Sequence, residues 1–281
     1  MPRRLDPVEM STMVLLNREV FLVYLVECIY RERVLMRRLS QLSDICSKAL
    51  FRYILFVMRF LKSKVFFGLD DIDKKLSVYL NNSKGYFVEL GANDGLSQSN
   101  TKHFEFFKGW KGVLIEPFPD NYARCRRNRA SRTRVINAAC VSFDFKEPTI
   151  RLLYSNLMTI TLDGQSEIEN RSGHAEVGAQ FLGEYEDVFE FQARARTLNS
   201  ILREARSPNR IDLLSLDVEG AELEVLKGLD HSEYRFKFIV IEIRNFESMN
   251  SYLISVGYQL VEKLTTHDYL YTDFTQTEVV N

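Results

Sequence analysis

Cysteine is scarce in this 281-residue chain. The four present, Cys28, Cys46, Cys125 and Cys140, form no Cys-x-x-Cys pair and no metal-ligand spacing. That excludes a disulfide framework as the organising device and predicts free thiols in a reducing, cytoplasmic compartment. Histidine is equally rare, and no Cys/His cluster suggests zinc. Neither glycine nor proline occurs between Pro7 and Gly68, so nothing there breaks a helix. A run of about 20 apolar residues, the length a membrane span needs, is also missing. The most apolar stretch, Val20–Tyr30, is interrupted by Glu27, and no small-residue cleavage site follows it, unlike a secretory signal. Net charge is only −1, which gives no bulk attraction to nucleic acid. Internal repeats and low-complexity segments are absent.

The charge that is present is unevenly placed. Residues 1–66 carry twelve Lys/Arg and six Asp/Glu, a net of +6, which leaves −7 for residues 67–281. The chain therefore divides into a basic helical N-terminal arm, 1–66, and an acidic body, 67–281. Within the arm, Ala49–Lys64 sets aromatic and aliphatic residues among Arg52, Arg59, Lys62 and Lys64. Such a basic amphipathic helix suits peripheral contact with an anionic membrane. Its apolar stripe also suits self-association or packing on the body, the commoner use of such stripes.

The body alternates. After a helix over Asp71–Leu80, the runs Tyr86–Leu90, Gly112–Glu116, Arg134–Val141, Ile211–Asp217 and Phe236–Ile243 read as buried strands. Helical patterns lie between and after them at Ser99–Phe107, Pro119–Asn128, Leu198–Ala205, Ala221–Leu229 and Phe246–Ser255. Strands separated by helices predict an α/β fold with a Rossmann-like, mostly parallel sheet. Tyr258–Lys263 and Asp268–Thr272 add an antiparallel closing pair. Residues 143–196 break the alternation as a variable insertion. It is β-like over Glu147–Leu162 and Val188–Arg196, with a polar, glycine-rich loop over Asp163–Glu184. Long loops inside compact domains are usually functional, and this one is expected to be a substrate-facing lid.

The chemistry concentrates at strand ends. Residues 86–95 read as strand, glycine turn and helix approach, with Gly91 and Gly95 four apart. A dinucleotide site wants Gly-x-Gly-x-x-Gly; Asn93 occupies the middle place, which disfavours a nicotinamide-dependent oxidoreductase. The Gly-Lys-Ser/Thr of a phosphate loop is missing too. The turn carries Glu89 and Asp94 instead, which suits a cationic ligand without phosphate, such as S-adenosylmethionine. Glu89 would meet its ammonium or order water beside it, and Gly91 would let the backbone approach its amino-acid part. Glu116 ends the next strand, 21 residues past Gly95, where a carboxylate can accept from both ribose hydroxyls. Asp217 and Glu219 follow a later buried strand, at the end where open α/β sheets place their ligands. Glu222, just beyond, reads as a complement to the helix dipole.

The stretches FVELGANDG, SNT, GWKGVLIEP, NAACVS, TLNSIL and LLSLDVEGAELEVLKGL together resemble the FkbM family of S-adenosylmethionine-dependent methyltransferases, over residues 80–275. The resemblance implies a class I methyltransferase fold and, usually, O-methylation of a hydroxyl on a saccharide or secondary-metabolite acceptor. By matching position it implies that Glu89, Gly91, Ala92, Asn93, Gly95 and Glu116 bind the donor. Asp217 and Glu219 would line the reaction centre. Asn199, where the family often has Asp, is expected to touch a helix start.

A hydroxyl is a poor nucleophile, so a nearby base helps. Asp217 and Glu219 are the first candidates, Glu242 at the next strand end is third, and His174 in the lid follows. The spacing of the acids assigns no metal and leaves a divalent ion open. The alternatives are methyl transfer to nitrogen or a carboxylate, and a catalytically silent, membrane-associated adaptor of the same fold. The absence of Asn-Pro-Pro-Tyr argues against amide or nucleobase nitrogen. Nothing in residues 143–196 identifies the acceptor.

Overall fold

The computed structural model describes residues 65–275 apart from 165, 169 and 183–185. The arm's two candidate helical stretches lie outside the described residues. The chain runs α1 (Ile72–Tyr79), β1 (Tyr86–Leu90), α2 (Lys102–Lys108), β2 (Lys111–Ile115), α3 (Pro119–Asn128), β3 (Arg134–Ile136) and β4 (Ala139–Cys140). The insertion then gives β5 (Thr149–Tyr154), β6 (Ile160–Thr161), α4 (Arg171–Gly178) and β7 (Phe189–Arg196). After it come α5 (Leu198–Glu204), β8 (Arg210–Leu216), α6 (Glu222–Leu226), β9 (Arg235–Glu242), α7 (Phe246–Ser255), β10 (Tyr258–Lys263) and β11 (Asp268–Asp273).

Seven strands form the main sheet in the order β3-β2-β1-β8-β9-β11-β10. Pairing is parallel from β3 through β9, while β11 runs antiparallel to both β9 and β10. This is the mostly parallel class I sheet with an antiparallel closing strand that the sequence predicts. Chain order reverses between β1 and β8, so a ligand crevice opens at the C-terminal ends of those two strands.

The strands are apolar because both faces are covered. On one face Val88, Leu90, Leu214 and Ile241 pack with Ile201, Leu226 and Leu253 of α5, α6 and α7. On the other, Phe87, Leu213 and Val240 pack with Leu76, Phe104 and Cys125 of α1, α2 and α3. Each such side chain contributes about 1.5–3 kcal/mol through burial. Alternation along β1 puts Glu89 on the Phe87 face. Capping sets two helix starts: Thr197 Oγ1 accepts from Ser200 N, and Asn245 Oδ1 from Ser248 N, each at 3.2 Å.

The structure departs from expectation twice, once just before the insertion and once within it. Arg134–Val141 is not one strand: β3 stays in the main sheet, while β4 joins a second sheet, β4-β7-β5-β6. Asn137 sits at the split and donates its side-chain amide to the carbonyls of Glu116 and Pro117, both at 2.9 Å. Beyond it, Ala139 and Val141 join Ile150, Leu152 and Ala193 in a separate small core. The stretch Asp163–Glu184 also contains α4 rather than loop alone. Asn170 Oδ1 caps that helix by accepting from Gly173 N at 3.0 Å. A Cβ at Gly173 would fall 2.5 Å from the capping side chain, so a residue that suggests loop is what the cap requires. Among the described residues, Cys125 and Cys140 are free thiols, and no helix is long and apolar enough to cross a membrane.

Candidate active site

The turn after β1 touches the loop after β8. Gly91 has a φ of +72°, and a Cβ there would lie 1.8 Å from the backbone oxygen of Asp217. Only glycine permits that approach. The turn closes on itself through Gly95 N to Ala92 O at 2.8 Å, and Ala92 is buried against the core. Asn93 also has a positive φ, 46°, which asparagine tolerates better than most residues.

Glu116 reaches this turn from the end of β2. Its Oε2 accepts from Asn93 N and its Oε1 from Phe118 N, both at 2.9 Å. Each carboxylate oxygen can accept twice, so each keeps a place for one ribose hydroxyl. Burial pushes the Glu116 pKa up to about 8, against the pull of those two N–H groups.

Glu89 stands differently from the sequence reading. Its carboxylate accepts from Ser99 Oγ, Asn100 N and Thr101 Oγ1, and pairs with Arg129 Nη1 at 3.1 Å. The side chain is 5 % exposed. With its oxygens saturated and its charge matched, it has nothing left for a ligand's ammonium. It holds the Ser99-Asn100-Thr101 segment in place behind the turn. Asp94 is likewise consumed, accepting from Leu96 N and Ser97 N at 2.8 and 2.7 Å. The two acids that suggested a cationic ligand are thus internal supports.

The carboxylates beyond β8 and β9 do converge. Oxygens of Asp217, Glu219 and Glu242 lie within 4.8 Å of one another. The cation the structure places beside them is Arg244, whose Nη2 donates to Glu219 at 2.7 Å and lies 3.2 Å from Glu242 Oε2. Glu222 lies beneath. Its Oε1 accepts from Val218 N and Gly220 N at 2.9 and 3.2 Å, so it staples the loop rather than serving the helix dipole alone. Burial pushes Glu222 up to about 7. Enclosure by protein, then Glu242, Glu219 and Glu222, push Asp217 well above the carboxylate range. Since Asp217 is itself open to solvent, the neighbouring charges are the firmer cause. Its carboxylate receives no hydrogen bond among the described residues.

Arg244 went unnoticed in the sequence, although a charge two residues past Glu242, at a strand's C-terminal end, is a usable signal. His174 belongs to this centre more fully than its place in a loop-like stretch suggested, with Nε2 2.9 Å from Glu219 Oε2. Asn199 does not cap its helix, a role Thr197 takes. Instead Asn199 Oδ1 accepts from Asp230 N and its amide donates to Glu233, tying α5 to the turn after α6.

With this geometry in view, the family described as Methyltransferase FkbM domain matches residues 89–264. Methyltransferase sdnD from Sordaria araneosa is 29% identical over 178 residues, covering 57% of this chain and 66% of that protein. The crystal structure of methyltransferase FkbM from Methylobacillus flagellatus KT shares 19% identity, with a TM-score of 0.40, over 67% of this chain and 43% of that one. The M. capricolum TrmK structure, in complex with S-adenosyl-homocysteine, shares 12% identity over 74% of this chain and 67% of that one, with a TM-score of 0.35. The chain thus spans just under two thirds of the curated relative and less than half of the crystallised FkbM protein.

Proposed function

The chain belongs to the FkbM methyltransferase family, and from that premise we propose that it methylates a hydroxyl oxygen on a saccharide or similar hydroxylated acceptor, with S-adenosylmethionine as donor. The contact of Gly91 with Asp217 supports this reading most strongly, since it sets the donor turn directly against the carboxylate loop. Glu116 has an acceptor place on each oxygen for the two ribose hydroxyls, and the backbone from Gly91 to Gly95 borders the amino-acid part. When bound, the donor supplies a methyl group on a sulfonium. Holding the acceptor oxygen in line with that methyl accounts for much of the rate. Asp217, raised in pKa and without a partner, takes the hydroxyl proton as the new carbon–oxygen bond forms. Glu219 and Glu242 keep that region negative, and Arg244 offsets part of their charge.

The same surplus of acids disfavours a carboxylate acceptor, which would face Asp217, Glu219 and Glu242 together. It also attracts ammonium groups, so N-methylation of an amine is the second reading. A labelled-methyl assay over sugars, glycolipids, hydroxylated metabolites and amines separates the two. Label in a base-stable ether supports the first reading, label on nitrogen supports the second, and base-labile label overturns both. Glu116→Ala is expected to weaken donor binding by about 1–3 kcal/mol in calorimetry, the worth of one or two lost hydrogen bonds. Unchanged affinity removes the ribose assignment.

A further inference from the structure

Helix α3 lies against the turn after β1 and holds its carbonyls one after another. Cys125 Sγ donates to Asn93 O at 2.9 Å. Asn128 Nδ2 donates to Asp94 O at 2.9 Å, and Arg129 Nη1 to Gly95 O at 3.2 Å. Cys125 and Asn128 stand three apart and so share one face of the helix; Arg129 follows at its end. A Cβ at Gly95 would fall 3.0 Å from Cys125 Sγ, 3.1 Å from Arg129 Cγ and 3.2 Å from Cys125 Cα. Gly95 thus lets α3 come close enough to make these three bonds.

The same helix is fastened to the other half of the methyl-donor site. Its N-cap residue is Phe118, whose N–H donates to Glu116 Oε1 at 2.9 Å. Glu116 Oε2 in turn accepts from Asn93 N at 2.9 Å. Asn93 is therefore held on both sides, its N–H by Glu116 and its carbonyl by Cys125. That grip fixes a φ of 46°, a left-handed conformation that a non-glycine residue keeps only where its surroundings enforce it. Cys125 is fully buried, so it acts through the turn and not by touching a ligand. Burial, then the carboxylates of Glu116 and Glu89, push its thiol well above the ordinary cysteine range. It stays protonated and keeps its S–H for the carbonyl, which a thiolate would repel.

We propose that Cys125 and Asn128 are positioning residues of the methyl-donor site: through the carbonyls of Asn93 and Asp94 they set the turn in register with Glu116, so that one molecule meets both. The proposal rests on reading the turn and Glu116 as that site. Helix α3 then aligns two pieces of the site that come from the ends of different strands, β1 and β2.

The test uses the full chain, with hydrogen exchange read by mass spectrometry in the absence of ligand and S-adenosylmethionine binding read by calorimetry. Cys125→Ala and Asn128→Ala each remove one bond to the turn, and Cys125→Ser keeps a hydroxyl in place of the thiol. Each alanine variant is expected to speed exchange across residues 91–97 while β9, Arg235–Glu242, exchanges as in the parent. Each should also weaken S-adenosylmethionine binding about three- to tenfold, the worth of one hydrogen bond, whereas Cys125→Ser stays within about twofold of the parent. Affinity within about twofold of the parent in either alanine variant overturns the proposal. So does a serine variant no better than alanine at position 125, or exchange that quickens equally across the turn and β9, as a general loss of stability would give. Should Cys125→Ala not fold, Asn128→Ala carries the same test from the end of the helix, where its side chain is half-buried. A parent that does not bind S-adenosylmethionine removes the methyl-donor reading and this proposal with it; a parent that binds, with variants that bind equally well, removes the proposal alone.

Discussion

Around Arg129, on the α1–α3 face of the sheet, two carboxylates meet two cations. Arg129 pairs with Glu89 at 3.1 Å and Glu105 at 3.2 Å, and Lys102 pairs with Glu105 at 3.0 Å, all nearly enclosed. Burial alone would raise Glu105, but Arg129, Lys102 and Thr133 outweigh it and hold its pKa at about 2. Around Asp217, at the crevice between β1 and β8, four carboxylates face Arg244 and His174. There Asp217, Glu219, Glu222 and Glu242 are all pushed upward, by burial and by neighbouring carboxylates, which for Glu242 means Asp268. The first cluster has its charges matched and enclosed, so its part is to hold the fold. The second keeps unmatched acids at a solvent-reachable point, which is where perturbed groups tend to mark chemistry.

Removing one partner from the matched cluster should have the largest effect on stability. Arg129→Ala leaves Glu89 buried and unpaired and Glu105 with Lys102 alone, which costs about 3–5 kcal/mol. Urea unfolding measures it, and a loss below 1 kcal/mol would mean that the pairing contributes little. The unmatched cluster should respond in the other way. Asp217→Asn is expected to fold normally, bind donor normally, and lose about a hundredfold or more in turnover on whichever acceptor scores in the labelling assay. Turnover within threefold of the parent would make Asp217 structural.

The smallest effect separates the clusters by pH. Glu116 and Glu222 have folded-state pKa values of about 8 and 7, above their ordinary 4.5. The folded state therefore binds more protons than the unfolded one. The stability they confer is fully present below pH 4.5 and is lost as pH rises through 7 to 8. Glu105 has the opposite sign: its contribution is complete above 4.5 and lost only as pH falls towards 2. Between pH 5 and 8 Glu105 does not change, and the raised carboxylates outnumber His174 and His231, whose lowered pKa works the other way, so the melting temperature should fall by a few degrees. A melting temperature that rises over that window would reverse the assignment.

Much of this architecture was legible because local physics writes it. The apolar run at Phe236–Ile243 can only be a strand covered on both faces, and it pairs as one. Gly91 announces a tight turn, although the contact that requires glycine is with Asp217, more than a hundred residues away. The helix α4 was hidden by Gly173, which weakens a helical pattern yet accommodates the Asn170 cap. Glu89 misled for a related reason. Its position beside the turn suggested a ligand, while strand alternation aims it at the face where Arg129 waits. That alternation was available in the sequence; the arginine's position was not.

The sequence by itself determined the order of strands and helices, the glycine turn, and the acids standing at the ends of β2, β8 and β9. Burial on two faces demands apolar runs, and sharp turns demand glycine, so those features are encoded residue by residue. Only the tertiary structure decided which charges are spent and which remain. Arg129 meets Glu89, Arg244 meets Glu219 and His174 arrives from the insertion through folding of distant segments, and a charge's state depends on what lies within a few ångströms of it. Asp217 remains without such a partner, and the proposed chemistry rests there.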